Sequence, residues 1–200
     1  MKIVFINKRF SPQRSATGYH AHQLAQYLHA QGHIVSLVHT TQNKSKPTIE
    51  DDGLKRIGVG SLYFGKQLVL RFLGDLVDSV RLLYRAKKLN ADRYIVLSDP
   101  PFLHYVSSYF LKPQNSIFWF MDVYPQAFVA HKLVKPSNWF YLNYVNRLRH
   151  WRPRLVISLG HNQSRFLKKA FDYNEIISIP IGLQKKTEKQ ATDHPATNNK

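Results

Sequence analysis

The first 40 residues constrain the fold of this chain more than any other part of its sequence. An apolar run at 2–7, KIVFIN, is followed at 19–33 by apolar residues with helical spacing, and a second apolar run, HIVSLVHT, occupies 33–40. The helical positions are Ala21, Leu24, Ala25 and Leu28. Gly32 comes just after them, where a helix commonly ends in a left-handed cap. Two strands joined by one helix form a βαβ unit, so the chain begins as a parallel sheet.

The same alternation continues to the end of the apolar sequence. Polar residues at 42–53 predict a loop. Further strands are predicted within 54–64, 92–102, 116–121, 153–160 and 175–182, and further helices at 66–89, at 103–111, on both sides of Pro136 and at 161–171. This order predicts an α/β fold in which a doubly wound parallel sheet is covered on both faces. We expect a single domain over 1–183 and a disordered polar tail at 184–200, which lacks apolar residues for packing.

The net charge of the chain favours polyanions as partners but does not indicate which polyanion it binds. Lysine and arginine number 29 against 12 acidic residues, which gives a net charge of +17. The tail contributes four basic and two acidic residues, so residues 1–183 alone carry +15. Such a surface attracts polyanions, including nucleic acid, anionic lipid headgroups and phosphorylated small molecules.

Other features exclude several classes of protein. The chain has no cysteine, so neither disulfides nor thiolate chemistry is available to it. The apolar run at the N-terminus is too short for a signal peptide, and nowhere do 18 apolar residues occur together, so we expect a cytoplasmic protein without a membrane span. The histidines near the predicted loops, His20, His22 and His161, have no recognised zinc-binding spacing, and no metal site is predicted.

Polar residues cluster where the predicted strands end. In a doubly wound sheet the loops at the carboxyl ends of the strands meet at one edge, and that edge holds the ligand crevice. These loops lie at 7–18, 98–101, 121–125, 158–162 and 180–182. Asp122 directly follows the apolar run FWFM, and Pro125 prevents the strand from continuing. Asp99, in the segment SDPP, belongs to the same edge, although acids before prolines also form turns.

Three segments resemble a known family. The opening, MKIVFINKRFSPQRSATGYHAHQLAQYLHAQGHIVSLVHT, is similar to the start of family 4 glycosyltransferases of the GT-B fold. FWFMDVYPQAFVA resembles the Asp-Leu-Tyr-Pro segment of members that act on lipid-linked or polysaccharide acceptors. VISLGHNQSRFLKKAF, followed by IISIPIG, is similar to the last strand, helix and strand of the same domain. The resemblance covers residues 1 to about 183 and implies a Rossmann-like, acceptor-side N-terminal domain.

The resemblance implies a function and a partner. GT-B enzymes have two such domains, of which the first mainly binds the acceptor and the second holds the sugar nucleotide. The expected function is therefore acceptor binding within an enzyme that moves a hexose from a sugar nucleotide to a lipid-linked or polysaccharide acceptor, with retained anomeric configuration. The sugar nucleotide is a donor substrate, and no other cofactor is expected. Because the resemblance ends after the first domain, we expect either a half-enzyme with a separate donor-binding chain or an inactive truncation.

The resemblance also implies roles for the loop after the first strand. In the family, small residues there let backbone N–H groups approach the donor phosphates at the start of the following helix. The matching residues here are Ser15, Ala16, Thr17 and Gly18. Arg14 and Arg9, in the same loop, would suit a phosphate. The alternative is an ordinary helix start in which Thr17 caps the first turn.

The acid after the central strand is the expected catalytic residue. Asp122 matches the family's acid and would orient an acceptor hydroxyl for attack at the anomeric carbon, or else cap the helix that follows Pro125. Many members have a sugar-contacting histidine before this acid, whereas this chain has Met121, so the histidine's role is not carried over. Tyr124 is expected to shape the acceptor site, and Asp99 to share the acceptor.

Two predicted surface segments are compatible with more than one kind of partner. The predicted helix at 66–89 has an apolar stripe beside basic residues, which suits either packing against the sheet or docking on an anionic membrane. The stripe consists of Val69, Leu73, Leu76, Val80 and Leu83, and the basic residues are Arg71, Arg81, Arg85, Lys87 and Lys88. The aromatic and basic segment 139–154 is a second candidate patch. The alternative function is a non-catalytic basic module that binds nucleic acid or anionic membrane, although no nucleic-acid-binding fold signature favours nucleic acid.

Overall fold

A computed structural model describes residues 1–10, 16–41, 48–49, 52–62 and 68–180. Its strands are β1 (Lys2–Ile6), β2 (Ile34–Thr41), β3 (Thr48–Ile49), β4 (Lys55–Gly60), β5 (Arg93–Val96), β6 (Ser116–Trp119), β7 (Leu155–Ser158) and β8 (Ile176–Ser178). Its helices are α1 (Ala16–Ala30), α2 (Leu68–Lys87), α3 (Leu103–Phe110), α4 (Gln126–Ala130), α5 (Trp139–His150) and α6 (His161–Phe171). The predicted polar tail at 184–200 lies outside the described residues.

The strands form one sheet, ordered β3-β4-β2-β1-β5-β6-β7-β8. Every pairing from β4 to β8 is parallel, which confirms the predicted α/β fold. Strand β3 pairs antiparallel with β4, so the predicted loop at 42–53 was wrong at Thr48–Ile49. Both residues are β-branched and therefore favour the extended backbone that lets this short segment pair at the sheet edge.

The sheet reverses its direction of growth beside β1. The chain first builds outward from β1 to β2 and β4, and it then returns to the other side of β1 to build β5, β6, β7 and β8. Strands β1 and β5 are neighbours, with Ile3 opposite Arg93 and Ile6 opposite Val96. Because the connections after these two strands leave in opposite directions, a crevice opens between them at their carboxyl ends.

The core lies on both faces of the sheet. On one face, Ala21 and Ala25 of α1 pack with the side chains of β1, β2 and β5. On the other face, α2, α3, α5 and α6 contribute to a larger cluster around Phe118, with Tyr144 and Phe171 fully buried in it. Gly32 ends α1 with a φ of 83°, the left-handed conformation predicted for it.

Helix α2 turns most of its predicted stripe away from the core. Leu73 is 51% exposed, and Leu76 and Val80 are also exposed, whereas Leu83 is fully buried. The core-facing alternative was therefore wrong for these three residues, and the side chain of Val69 lies outside the described residues. The buried side of α2 carries Leu82 and Leu83 in its last turns, but polar residues earlier, and Asp78 is only 1% exposed. Polar residues are buried there because this side of the helix contacts polar groups just beyond β1 and β4.

The buried polar residues of α2 bind the segments that follow two strands. Asp75 forms an ion pair with Lys8, just beyond β1. Asp78 accepts hydrogen bonds from the hydroxyl of Ser61 and, at 3.0 Å, from the backbone N–H of Leu62, both just beyond β4. These carboxylates satisfy groups that a leucine could not, and they fix α2 across the carboxyl edge of the sheet. None of the helices in the described ranges is long and apolar enough to cross a membrane.

Candidate functional site

The loops after β1 and β5 meet at the point where the sheet reverses. The backbone N–H of Lys8 donates to the carbonyl of Asp99 at 2.6 Å. The carbonyl of Lys8 accepts from both the N–H and the hydroxyl of Thr40, at 3.1 and 2.9 Å. Lys8 is thereby held between the ends of β2 and β5, and its ammonium group reaches Asp75 of α2. The crevice thus has a lysine fixed at its centre.

A buried serine joins the loop after β5 to the loop after β6. The hydroxyl of Ser98 accepts the backbone N–H groups of Met121 and Asp122, at 2.8 and 3.1 Å. Strand β6 has ended at Trp119, so these bonds replace the sheet pairing that stops there. The carboxylate of Asp122 is exposed at this edge while its backbone is held in place. Ser98 therefore positions Asp122.

Asp99 is the acid most affected by its surroundings. Burial raises the pKa of its carboxyl group, and the carboxylates of Asp75 and Asp122 raise it further, while Lys8 and Arg9 lower it. The acids at the ends of β5 and β6 and the acid on α2 are therefore close enough to interact. The basic side chains of the β1 loop offset part of their repulsion.

Tyr124 belongs to the same cluster. Burial and the nearby carboxylates of Asp122, Asp99 and Asp75 raise the pKa of its phenol to about 12. At neutral pH the hydroxyl is thus protonated and can donate a hydrogen bond to a ligand oxygen. The structure brings together three of the predicted site residues, Asp99, Asp122 and Tyr124.

Helix α6 extends this edge toward β7. The side-chain carbonyl of Gln163 accepts the N–H of Leu159 at 2.7 Å, and its amide group lies 3.4 Å from the carbonyl of Met121. Gln163 thus connects the loop after β7 with the loop that carries Asp122. The hydroxyls of Ser158 and Ser164 are 2.6 Å apart, which secures the start of α6 to the end of β7.

The small residues at the start of α1, Ser15 to Gly18, are described only in part. Arg14 and Ser15 lie outside the described residues, and only the backbone of Ala16 is described. A Cβ atom on Gly18 would lie 2.5 Å from the carbonyl oxygen of Arg9, so close packing of α1 against the β1 loop requires glycine there. This packing accounts for the glycine without a ligand. The donor-phosphate role of the four small residues stays a prediction.

The two capping alternatives were wrong. Helix α1 begins at Ala16, so Thr17 lies inside the first turn and not before it. Within the described structure no side chain caps α4, whose N-cap is Pro125. The N–H of Ala127 instead binds the carbonyl of Val123, and this leaves the carboxylate of Asp122 available to a ligand.

The sequence interpretation missed three residues of this site: Lys8, Asp75 and Ser98. One signal for Asp75 was present, because Asp75 and Asp78 are the only acids in the helices that the structure describes. Acids spaced three apart on the side opposite a leucine stripe indicate a polar contact on that side. Ser98 had no comparable signal, since serine is common wherever a strand ends.

The fold is shared with known glycosyltransferases. The chain is similar to the crystal structure of CalG4, the calicheamicin glycosyltransferase, with a TM-score of 0.55 and 14% identity over 90% of this chain and 52% of that one. A glycosyltransferase from Rickettsia africae ESF-5 matches with a TM-score of 0.48 and 15% identity, over 91% of this chain and 43% of that one. No protein-family model and no curated protein sequence matches the chain.

The similarity to CalG4 extends over nearly all of this chain but only about half of the CalG4 chain. At this level of identity it shows the fold, a Rossmann-like α/β domain of the kind found in GT-B glycosyltransferases. The site residues come from the geometry of this chain alone.

Proposed function

We propose that this chain is the acceptor-binding domain of a glycosyltransferase, of the family 4 type that its motifs resemble. The observation that carries the proposal is the cluster at the reversal point of the sheet, where Asp99, Asp122 and Tyr124 converge beside Lys8. Such a crevice is where doubly wound folds bind their ligands. The proposed reaction moves a hexose from a sugar nucleotide to a lipid-linked or polysaccharide acceptor.

Each residue of the cluster has a role in this proposal. The exposed carboxylate of Asp122 accepts a hydrogen bond from the acceptor hydroxyl and orients it toward the anomeric carbon. The phenol of Tyr124 donates to a sugar oxygen, and Asp99 shares the acceptor. Arg9, which is exposed, supplies positive charge for a phosphate group, whereas the ammonium group of Lys8 is already paired with Asp75. Ser98 acts through Asp122, whose backbone it holds, and is therefore a positioning residue.

The donor half completes the enzyme in this proposal. A sugar nucleotide would be held mainly by a donor-binding domain, with residues 15–18 contributing backbone N–H groups to its phosphates. We expect the isolated chain to bind UDP- or GDP-hexoses weakly and to transfer no sugar by itself. Radiolabelled hexose transfer by the purified chain alone would contradict this part of the proposal.

The test of the site is a comparison of two substitutions of an acid by its amide. Asp122→Asn removes the charge at the crevice, whereas the control Asp172→Asn removes an exposed charge just beyond α6. In an enzyme that also contains the donor-binding domain, we expect Asp122→Asn to lower kcat about 100-fold and the control to leave it unchanged. Both variants should melt within a few degrees of the parent. Equal transfer by the two variants would exclude Asp122 from the reaction.

The nucleic-acid alternative gains no support from α5. Binding to single strands needs several exposed aromatic rings, but in the segment 139–154 Tyr144 and Trp151 are buried and, of its phenylalanines, tyrosines and tryptophans, only Trp139 is exposed. Arg147 from the same segment donates to Ser108 and lies over the ring of Tyr109. Most of the aromatic rings of the predicted patch are therefore not available for stacking. Salt-sensitive binding of RNA of any sequence would nevertheless restore this alternative.

A further inference from the structure

The first turn of α2 extends beyond the ends of the strands. On the inward side of this helix, residues spaced by three and four positions are buried, and they include Asp75, Asp78 and Leu82. Arg71 lies one turn before Asp75 on the same side, yet it is exposed. Because Asp75 already reaches Lys8 just beyond β1, the turn that carries Arg71 lies past the sheet edge, at the crevice.

Aromatic packing places this turn beside the acceptor cluster. Phe72, the next residue of α2, contacts Phe128 of α4, with ring centroids 5.0 Å apart. The centroid of the Phe128 ring lies 4.8 Å from that of Tyr124. Two ring contacts therefore connect the neighbour of Arg71 to the loop that carries Asp122.

The charge of Arg71 acts on the same cluster. Burial and the carboxylates of Asp122, Asp99 and Asp75 raise the pKa of the Tyr124 phenol to about 12, and the positive charge of Arg71 opposes them. Charges influence a pKa in this way only over short distances. The guanidinium is therefore near the phenol that is proposed to contact the sugar.

Within the described part of the chain, the guanidinium of Arg71 makes no hydrogen bond and no ion pair. Asp75, four residues later, is at the spacing for a pair within the helix, but it binds Lys8 instead. Arg81, two turns further along α2 on its partly buried side, donates to the carbonyl of Gly60 at 3.1 Å. Arg71 is thus available to a ligand, while Arg81 is used by the fold.

An available arginine changes which ligands suit the crevice. The carboxylates of Asp99 and Asp122 accept hydrogen bonds from hydroxyl groups and repel anions. A guanidinium instead binds a carboxylate or a phosphate through two parallel hydrogen bonds. A ligand that satisfies both kinds of group has hydroxyls and an acid group close together.

We propose that Arg71 makes this domain specific for acceptors that carry an acid group beside the sugar hydroxyl that Asp122 orients. The guanidinium donates two N–H groups to the acid group while the hydroxyl donates to Asp122. The acid group is the carboxylate of a uronic acid or the phosphate that links a sugar to a lipid, since both present paired anionic oxygens. This inference rests on the proposed function, because it names the class of acceptor.

Arg9 does not take the place of Arg71 in this role. It is also exposed, but it belongs to the β1 loop and its charge acts on Asp99. In the proposed function that loop contacts the phosphates of the donor. Arg71 lies beside Tyr124, within the part of the crevice proposed to bind the acceptor.

The experiment is a chemical-shift titration of the full chain with matched sugars. The probes are methyl glucoside, methyl glucuronide and glucose 1-phosphate, together with the same three forms of galactose. We expect at least one acid form to bind at least about tenfold more tightly than its neutral counterpart. A preference for the glucuronide or galacturonide indicates a uronic acid acceptor, and a preference for the 1-phosphate indicates a sugar linked to a lipid through phosphate.

Three variants test the residue. Arg71→Gln should remove the preference and leave the Kd of the neutral sugars within about twofold, whereas Arg71→Lys, which keeps the charge without the fork, should retain only part of it. The matched control is Arg85→Gln, which removes the same charge from an exposed position of α2 roughly 21 Å further along the helix. It should keep the preference. Unchanged melting temperatures will show that all three variants fold.

Several outcomes would overturn the inference. Equal binding of neutral and acid forms by the parent would do so, and if Asp122→Asn then weakens binding of every form, the proposed acceptor site stands without it. An equal loss of preference in Arg71→Gln and Arg85→Gln would reduce the effect to the net charge of +17. If Arg9→Gln removes the preference and Arg71→Gln does not, the acid group binds at the β1 loop. Failure of every probe to bind would count against both the inference and the proposed acceptor site.

Discussion

Helix α6 and the first three turns of helix α2 lie on the same side of the sheet, yet they turn opposite kinds of residue toward it. Helix α6 buries Leu167 and Phe171 completely and exposes its lysines. Helix α2, over its first three turns, buries Asp75 and exposes leucines. Phe171 of α6 contacts the ring of Phe120, just beyond β6, whereas the first turns of α2 contact polar groups just beyond β1 and β4. An amphipathic pattern therefore identifies two faces of a helix, but its neighbours decide which face is buried.

The largest expected effect is on α6. Phe171→Ala would leave a cavity beside Phe120 and Tyr173, whose ring centroids are 6.0 and 5.5 Å away. We expect it to lower the free energy of unfolding by about 3–5 kcal/mol, measured by urea denaturation. A loss below about 1 kcal/mol would mean that α6 is not the core-facing helix of the pair.

The next largest effect on stability is expected from His104, a buried neutral histidine on the neighbouring helix α3. Burial lowers the pKa of His104 to about 4 from 6.5, and its ring is stacked on Phe118 with Nε2 2.9 Å from the carbonyl of Val96. Because the unfolded chain takes up this proton first, stability is complete above pH 6.5 and is lost as the pH falls toward 4. The loss should reach about 3 kcal/mol.

The check is a pH series of urea unfolding for the parent and for His104→Gln, which keeps a donor for the Val96 carbonyl. Burial raises the pKa of Asp99, which acts with the opposite sign, and the difference between the two proteins removes that contribution. We expect the variant to lose less stability than the parent between pH 6.5 and 4. Parallel pH profiles would show that His104 is protonated in the folded state without cost.

Asp78 tests whether the buried side of α2 needs its carboxylates. Asp78→Ala leaves the hydroxyl of Ser61 and the N–H of Leu62 without their acceptor, and we expect a loss of about 1–3 kcal/mol. Asp78→Asn keeps one acceptor oxygen and should lose less. Thermal melts of the two variants provide the measurement. If Asp78→Ala were as stable as the parent, the polar contacts would not explain the orientation of α2.

The smallest expected effect is on the exposed leucines of α2. Leu73→Ala removes a half-exposed side chain that contributes little to the core, so the free energy of unfolding should change by less than about 0.5 kcal/mol. Melting should be measured at several protein concentrations. A large loss that grows with concentration would reveal that a second copy covers the leucines, and the contrast with α6 would then belong to the dimer.

Much of the fold could be predicted from local patterns. The βαβ start, the turn at Gly32 and the exposed position of Asp122 all follow from periodicity and turn chemistry within a few neighbouring residues. The orientation of α2 could not be predicted in this way. It depends on Lys8, which lies 67 residues before Asp75 in the chain, and no local pattern reports such a pairing. Ser98 binds backbone groups, which every sequence presents alike.

The carboxylates of α2 also decide between two ways of packing the same helix. Rotating α2 by about half a turn about its axis would bury Leu73 and Leu76 but would expose Leu82, which is now fully buried with Leu83 and Ala86, so apolar burial alone does not clearly select either setting. That rotation would separate Asp75 from Lys8 and Asp78 from Ser61 and would leave buried polar groups unpaired. The two buried carboxylates thus make one rotational setting of the helix unique, because only that setting gives both of them partners.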